Sequence, residues 1–308
     1  MYDYSVIIPH YKDMESLKAL LGSIPLRQDI QVIVVDDHSF EDPEEFIKTA
    51  SGFRGGDTLY LINPDEKNGA GRCRNEALKH AKGKWLVFAD ADDMFTEDAF
   101  DKMDAYASSV ADIVYFVPTS VRLPENETGK RHIPSANKVK AYLEKKDELS
   151  EAYLRYDMFA PWTKMIRRSM VEEHGIRFNG RLCANDVMFS VRCGYYADSI
   201  EACEDVIYCI TDKAGTLTLR NDPSSYKDRF KAYVERYIFL RGRVKKEIFG
   251  RLTGWMPGKI IRAAVQGYGY PMVRYMLKTY KKYDISLGGM SPEYIRNSIR
   301  FVFNSFRV

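Results

Sequence analysis

No stretch of the 308-residue chain approaches the roughly 18 consecutive apolar residues of a membrane-spanning helix. Nor does the amino terminus, MYDYSVIIPHY, set a basic segment before a long apolar run. The pattern predicts a cytoplasmic protein, with any membrane contact peripheral and on the inner face. Cysteine is scarce as well. Cys73, Cys183, Cys193, Cys203 and Cys209 are odd in number and form no C-x-x-C pair, so neither a zinc site nor a disulfide framework is expected. Asn126-Glu127-Thr128 spells a glycosylation acceptor, read here as a chance match. Neither the dinucleotide fingerprint nor the P-loop occurs, which argues against an oxidoreductase or an NTPase. No nucleic-acid reader motif and no internal repeat is present, so nucleic acid is not an expected partner.

What the chain does contain is ordinary globular material: 45% hydrophobic and 29% charged residues, enough to bury a core and stay soluble. A net charge of +3 conceals an asymmetry, because residues from Arg220 onward carry 19 basic and 6 acidic side chains, against 27 and 37 before it. The expected organisation is therefore an acidic body, 1–219, followed by a basic, aromatic helical region, 220–308. In that region Tyr268, Tyr270, Tyr275, Tyr280 and Tyr283 lie among Lys278, Lys281 and Lys282. Such a mixture suits an anionic membrane surface or a phosphate-rich acceptor. A homo-oligomer interface and a plain solvated helical face are the alternatives.

Apolar runs and helical spacing alternate through the body. Strands are predicted at 4–9, 30–35, 58–62, 85–89, 112–116 and 206–210, and helices at 14–24, 44–50, 71–81 and 96–106. Residues 118–138 read as a polar loop and 139–200 as mostly helical. From Tyr226 onward long amphipathic helices are expected, broken near 254–258 and 267–271. Strand–helix alternation of this kind predicts an α/β fold, a mostly parallel sheet flanked by helices, with a helical C-terminal extension. In open sheets the ligand crevice lies beyond the carboxyl ends of the strands, which would gather Pro9 to Tyr11, Asp36-Asp37 and Asp90 to Asp93.

Those clusters carry the chemistry. Asp90-Ala91-Asp92-Asp93 follows directly on the apolar strand Trp85-Leu86-Val87-Phe88. Three carboxylates so close repel one another unless a cation sits among them, and a hard divalent ion bridging a diphosphate is one answer. A solvated loop or helix cap is the other. Asp36-Asp37-His38-Ser39 closes the second strand, where a carboxylate can accept hydrogen bonds from a base or a ribose, or can cap the next helix. Tyr11 offers an aromatic face to a base or is an exposed turn residue. The stretch Asn68-Gly69-Ala70-Gly71-Arg72-Cys73-Arg74-Asn75 sets glycines and two arginines at the start of a helix, a place that favours anions.

The order and spacing of Val6-Ile7-Ile8-Pro9-His10-Tyr11, Val34-Val35-Asp36-Asp37-His38-Ser39, Gly69 to Asn75, and Phe88-Ala89-Asp90-Ala91-Asp92-Asp93 resemble family 2 glycosyltransferases. A looser likeness runs through Trp162-Thr163-Lys164-Met165 and Gly175-Ile176-Arg177-Phe178 to Asn185-Asp186, and fades after Arg220. The resemblance implies a GT-A, Rossmann-like fold of bacterial surface-polysaccharide type and an inverting transfer from a nucleotide-sugar, commonly UDP-linked, to a glycan or lipid-linked acceptor. It implies a nucleotide-sugar half, 1–110, and an acceptor half, 111–219. Pro9, Tyr11, Asp37, Gly69, Arg74, Asp90, Ala91 and Asp92 would meet the donor, and Asp92 with Asp93 would hold Mn²⁺ or Mg²⁺. Asp186 would be the general base, although the family's Glu-Asp pair reads Asn185-Asp186 here. Trp162, Lys164 and Asn185 would line the donor or acceptor pocket. Glu204-Asp205, read as a surface turn, is the rival base. A catalytically inactive nucleotide- or glycan-binding relative and a nucleotidyltransferase are the competing functions.

Overall fold

The structure is a computed structural model; it describes residues 2–65, 69–212, 222–265 and 267–286. Asn68, at the head of the glycine-rich stretch, and residues 287–308 of the basic region lie outside the described residues. The chain divides into two compact units, Met1–Leu219 and Arg220–Val308.

The first unit opens β1 (Tyr4–His10), α1 (Met14–Gly22), β2 (Ile30–Asp36), α2 (Pro43–Ala50), β3 (Thr58–Ile62), α3 (Ala70–His80) and β4 (Trp85–Phe88). It continues β5 (Met94–Phe95), α4 (Ala99–Asp104), β6 (Ile113–Arg122), β7 (Glu127–Thr128), α5 (Ile133–Lys145) and α6 (Glu148–Asp157). β8 (Lys164–Arg167), α7 (Arg168–Glu173), α8 (Val187–Tyr196) and β9 (Ile200–Asp212) complete it. One sheet runs β3-β2-β1-β4-β8-β6-β9-β5, with β7 on the edge of β6. Neighbours β3, β2, β1 and β4 are parallel, as are β6 and β9, while β8 runs antiparallel between β4 and β6.

The long apolar runs follow from burial on both faces. Along β1, Tyr4, Val6 and Ile8 enter one core and Ile7 the other; along β2, Ile30, Val32 and Val34 oppose Ile33 and Val35. This is the period-2 alternation of a strand between two helical layers. Pro9 ends the run without harm: the β1–β4 pairing stops at Ile7 and Phe88, so no partner awaits its missing N–H. Asp13 accepts from Ser16 N at 3.0 Å and starts α1.

Several expectations are corrected. The segment 118–138 is not a loop: β6 continues to Arg122, with Pro118 at a register shift against β9 where a ladder bond is already lost. Within 139–200, Lys164–Arg167 is a strand too short to show a period. Residues 94–95 pair with β9, so the helix predicted from 96 starts at Ala99. Glu204 and Asp205 lie inside β9, at the bulge opposite Phe116, rather than in a surface turn.

The second unit holds α9 (Pro223–Leu240), α10 (Lys246–Thr253), α11 (Gly258–Val265) and α12 (Gly269–Lys282); the breaks expected near 254–258 and 267–271 are present, and a further one falls at 241–245, around Gly242 at φ 77°. Its own core gathers Tyr226, Phe230, Val234, Met256, Met272, Met276 and Tyr280. Tyr280 is buried with its hydroxyl on Met256 O, and Tyr268 and Tyr275 pack against Tyr226 and Phe230. Of the five tyrosines read as an interfacial surface, these three and Tyr283 pack in or against the core, while Tyr270 is 74% exposed.

Candidate active site

The ends of β1 and β2 are tied into one frame. Asp36 is buried, meets His10 Nδ1 at 2.7 Å, and accepts from Ser39 N at 2.8 Å and from the Ser39 hydroxyl. Lys12 N donates in turn to Ser39 Oγ at 2.7 Å. Burial works to raise the Asp36 carboxyl, but the bonds from His10 and Ser39 outweigh it and hold it below its ordinary value. Lys12 and His38 sit at φ 63° and 61°, a region that disfavours side chains and that functional loops commonly hold under strain. Tyr11, between these anchors, is 49% exposed.

Asp37 turns the other way. Its carboxylate accepts from Asn63 Nδ2 at 2.8 Å and from Gly69 N at 2.7 Å, so it joins the end of β3 to the N-terminus of α3. Gly69, at φ 144°, adopts a backbone that only glycine takes readily.

α3 then aims Arg74 across the sheet's carboxyl edge. The guanidinium reaches Asp90 Oδ1 at 2.5 Å and Asn185 Oδ1 at 3.0 Å, and stacks over Phe178 with 5.3 Å to the ring centroid. It bridges the acidic loop after β4 to the residue beside Asp186, 111 positions away in sequence. Asp186 is half-buried at the N-terminal end of α8. Burial raises its carboxyl above the ordinary value; Asp90 adds to this, and Arg74 and Lys164 oppose it. Ala184, at φ 55°, strains the approach to it.

The acidic loop is held from β9. Asp90 N donates to the Tyr208 hydroxyl at 2.8 Å, and Tyr208 stacks on Trp162 at 5.7 Å and 8°. Asp93 is 4% exposed and accepts from Thr211 N at 2.7 Å; burial, with Asp90 and Asp92 beside it, raises its carboxyl well above the usual range. Asp92 and Ala91 are half-buried. The pairing expected of Asp92 and Asp93 is thus unequal, since Asp93 is committed to the strand behind the loop. Among the described residues no three or more His, Cys, Asp or Glu side chains are grouped to hold a metal ion. One or two hard carboxylates fit Mg²⁺ or Mn²⁺ that takes its other oxygens from a diphosphate and water, and do not fit zinc.

Lys164 is corrected: it is 2% exposed, its ammonium on Met158 O and Ser190 Oγ, so it lines no open pocket. Asn185 is buried against Arg74, and Trp162 packs beside Tyr208. Glu204 and Asp205 lie in the β9 bulge, whereas Asp186 follows the Asn185 that Arg74 bonds and feels the charges of Arg74 and Asp90. Sequence reasoning passed over Asn63 and Tyr208. A polar residue closing the third strand marks Asn63, whereas nothing local marks Tyr208, which reaches Asp90 from 118 residues away.

An α/β sheet with acidic loops at its carboxyl edge and a distant aspartate brought beside them has the GT-A fold. Staphylococcus aureus TarS (residues 1–349, in complex with UDP-GlcNAc) superposes with a TM-score of 0.70 at 18% identity, over 92% of this chain and 80% of that one. The mannosyltransferase PcManGT of Pyrobaculum calidifontis, in complex with GDP-Man and Mn²⁺, gives 0.57 at 18% identity, over 98% of this chain and 87% of that one. Residues 5–175 match the family model of glycosyl transferase family 2, and the chain belongs to that family. EpsH of Bacillus subtilis (strain 168) is 23% identical over 254 residues, 79% of this chain and 70% of EpsH. The poly(ribitol-phosphate) beta-N-acetylglucosaminyltransferase TarS of S. aureus (strain Mu50) is 23% identical over 219 residues, 69% of this chain and 36% of TarS. The protein is a glycosyltransferase, and the nucleotidyltransferase alternative falls away.

Proposed function

We propose that the chain transfers a sugar, a hexose or N-acetylhexosamine, from a UDP-sugar to a hydroxyl of a glycan or lipid-linked acceptor, with inversion at the anomeric carbon. The observation that carries this reading is Arg74, which joins the acidic loop through Asp90 to the Asn185-Asp186 turn. One cation thereby fixes the separation between a donor-binding loop and a candidate base. The UDP-GlcNAc held by TarS supports a UDP-linked donor.

In this reading the frame of His10, Asp36 and Ser39 presents Tyr11 to the base, and Asp37 with Gly69 borders the nucleotide at the start of α3, whose dipole favours its negative charge. Asp92, with Asp93 behind it, would hold Mn²⁺ or Mg²⁺, which when bound neutralises charge on the departing diphosphate. The Mn²⁺ with GDP-Man in PcManGT supports a divalent ion here. Asp186 takes the proton of the acceptor hydroxyl as that oxygen attacks from the face opposite the diphosphate. Its raised carboxyl brings its basicity nearer to working pH than an ordinary aspartate's. The basic C-terminal unit is assigned to an anionic surface, through charge rather than aromatic insertion.

The test is a panel of UDP-, GDP- and dTDP-sugars with Mn²⁺, Mg²⁺ or EDTA, read by nucleoside diphosphate release. A UDP-sugar turned over only with metal, and lost with Asp92→Ala, is expected. A folded protein that binds no nucleotide under any metal would make the chain an inactive glycan-binding relative.

A further inference from the structure

Lys164 begins β8 at a place where a lysine is costly. Its ammonium donates to Met158 O at 2.5 Å, lies 3.4 Å from Ser190 Oγ and sits 5.4 Å from the centroid of the Tyr115 ring. Burial lowers its pKa to about 7; Lys138 pushes the same way, and Cys193 and Asp186 oppose. A methionine would fill the space without desolvating a charge, and such replacements of buried charges are often neutral or stabilising. The lysine therefore calls for a reason other than packing.

Its partners supply one. Ser190 N donates to Asp186 O at 2.9 Å, closing the first turn of α8, and the Ser190 hydroxyl donates to Phe159 O. Lys164 thus grips both the end of α6 and the turn that carries Asp186. Two residues earlier, Trp162 stacks on Tyr208, whose hydroxyl holds Asp90 N. Between them Thr163 takes φ 58°, in a region costly for a β-branched residue, with its hydroxyl buried and unbonded. Strain at this junction is consistent with a segment fixed for the site's geometry. Electrostatically, Asp186 lies among Arg74 and Lys164, which favour its charged form, and Asp90, which opposes it.

We propose that Lys164 is a positioning residue for glycosyl transfer: through Met158 and Ser190 it pins the 158–163 turn to the first turn of α8, the turn that carries Asp186. This rests on Asp186 as the base.

The experiment is ¹³C NMR titration of the Asp186 carboxylate in the full chain, assigned with Asp186→Asn, for the wild type, Lys164→Met and Lys164→Arg. Lys164→Met is expected to move the Asp186 midpoint up, and Lys164→Arg to move it back toward the wild type. With UDP-GlcNAc and Mn²⁺, the acid limb of kcat should shift upward in Lys164→Met while KM stays within about twofold, and activity should recover above pH 8. An unmoved midpoint, or a kcat loss equal at every pH, overturns the proposal. If Lys164→Met does not fold, Ser190→Ala serves: a fall in kcat with no shift of the limb is expected, and an unchanged kcat overturns the pinning. Failure of the underlying reading looks different, because Asp186→Asn would then retain turnover whatever the titration shows.

Discussion

At the scale of single residues, Asp186 combines a chemical role with a thermodynamic cost. Its folded-state pKa is raised, so its contribution to stability is present below the ordinary carboxylate range and is lost as pH rises through the folded value. At neutral pH the charged carboxylate is therefore a burden that the proposed function requires. Asp186→Asn should lower turnover by roughly a thousandfold, as removal of a general base does. The same change should raise the melting temperature at pH 7.5, with the difference shrinking toward pH 4. Thermal melts at the two pH values decide it, and a variant that melts lower at pH 7.5 would mean that Asp186 is a structural cap. Asp37 belongs to the opposite class. Its oxygens are satisfied by Asn63 and Gly69 within the chain, so its removal should loosen the start of α3.

At the scale of elements, the site depends on how closely α3 approaches the loop before α8. A Cβ on Gly71 would stand 2.3 Å from Asn179 O and 2.9 Å from Asn185 Cβ, both nearer than real contacts allow. Gly71→Ala should therefore force α3 and the 179–185 loop apart, cost about 1–3 kcal/mol and weaken the Arg74–Asn185 bond. Gly22→Ala at the end of α1, where nothing lies within 4 Å, is the control and should be neutral or slightly stabilising. Equal melting temperatures for the two variants would show that the approach is not tight. Local pattern makes part of this arrangement readable and leaves the rest hidden. β1, β2 and β4 are evident because both of their faces are buried and acidic or polar residues cut the apolar runs short. β8 is hidden because four residues between a proline-containing turn and a helix show no period. The start of β9 is hidden because its bulge puts Glu204 and Asp205 inside the strand and breaks the alternation. In the site, Asp37 and Asp90 to Asp93 are legible as strand endings. The roles of Asn63, Tyr208 and Lys164 come from pairings across the sheet, which no local sequence pattern records.

At the scale of the whole molecule, two units of opposite charge character share one chain, each with its own hydrophobic core. No helix among the described residues is long and apolar enough to cross a membrane. With Tyr268, Tyr275, Tyr280 and Tyr283 packed in or against the core, the attraction the described part of the second unit offers a lipid surface comes mainly from its charge. Exposed Arg274, Lys278 and Lys282 recur every four residues along α12, and exposed Lys281 lies three residues after Lys278, so all four share one side of the helix. Each basic residue near an anionic surface contributes roughly 1 kcal/mol, and that attraction decays within a Debye length of about 8–10 Å at moderate salt. The full chain should therefore float with phosphatidylserine-containing vesicles at low ionic strength, release as salt approaches half molar, and ignore neutral phosphatidylcholine vesicles. Reversing the four charges to glutamate should abolish flotation while leaving donor hydrolysis unchanged, since the candidate site residues all belong to the first unit. Salt-insensitive binding would point to apolar insertion, for which Tyr270 offers little area. Binding that survives charge reversal would locate the attraction elsewhere. Absence of binding at low salt would leave the basic face to a phosphate-rich acceptor or to another copy of the chain.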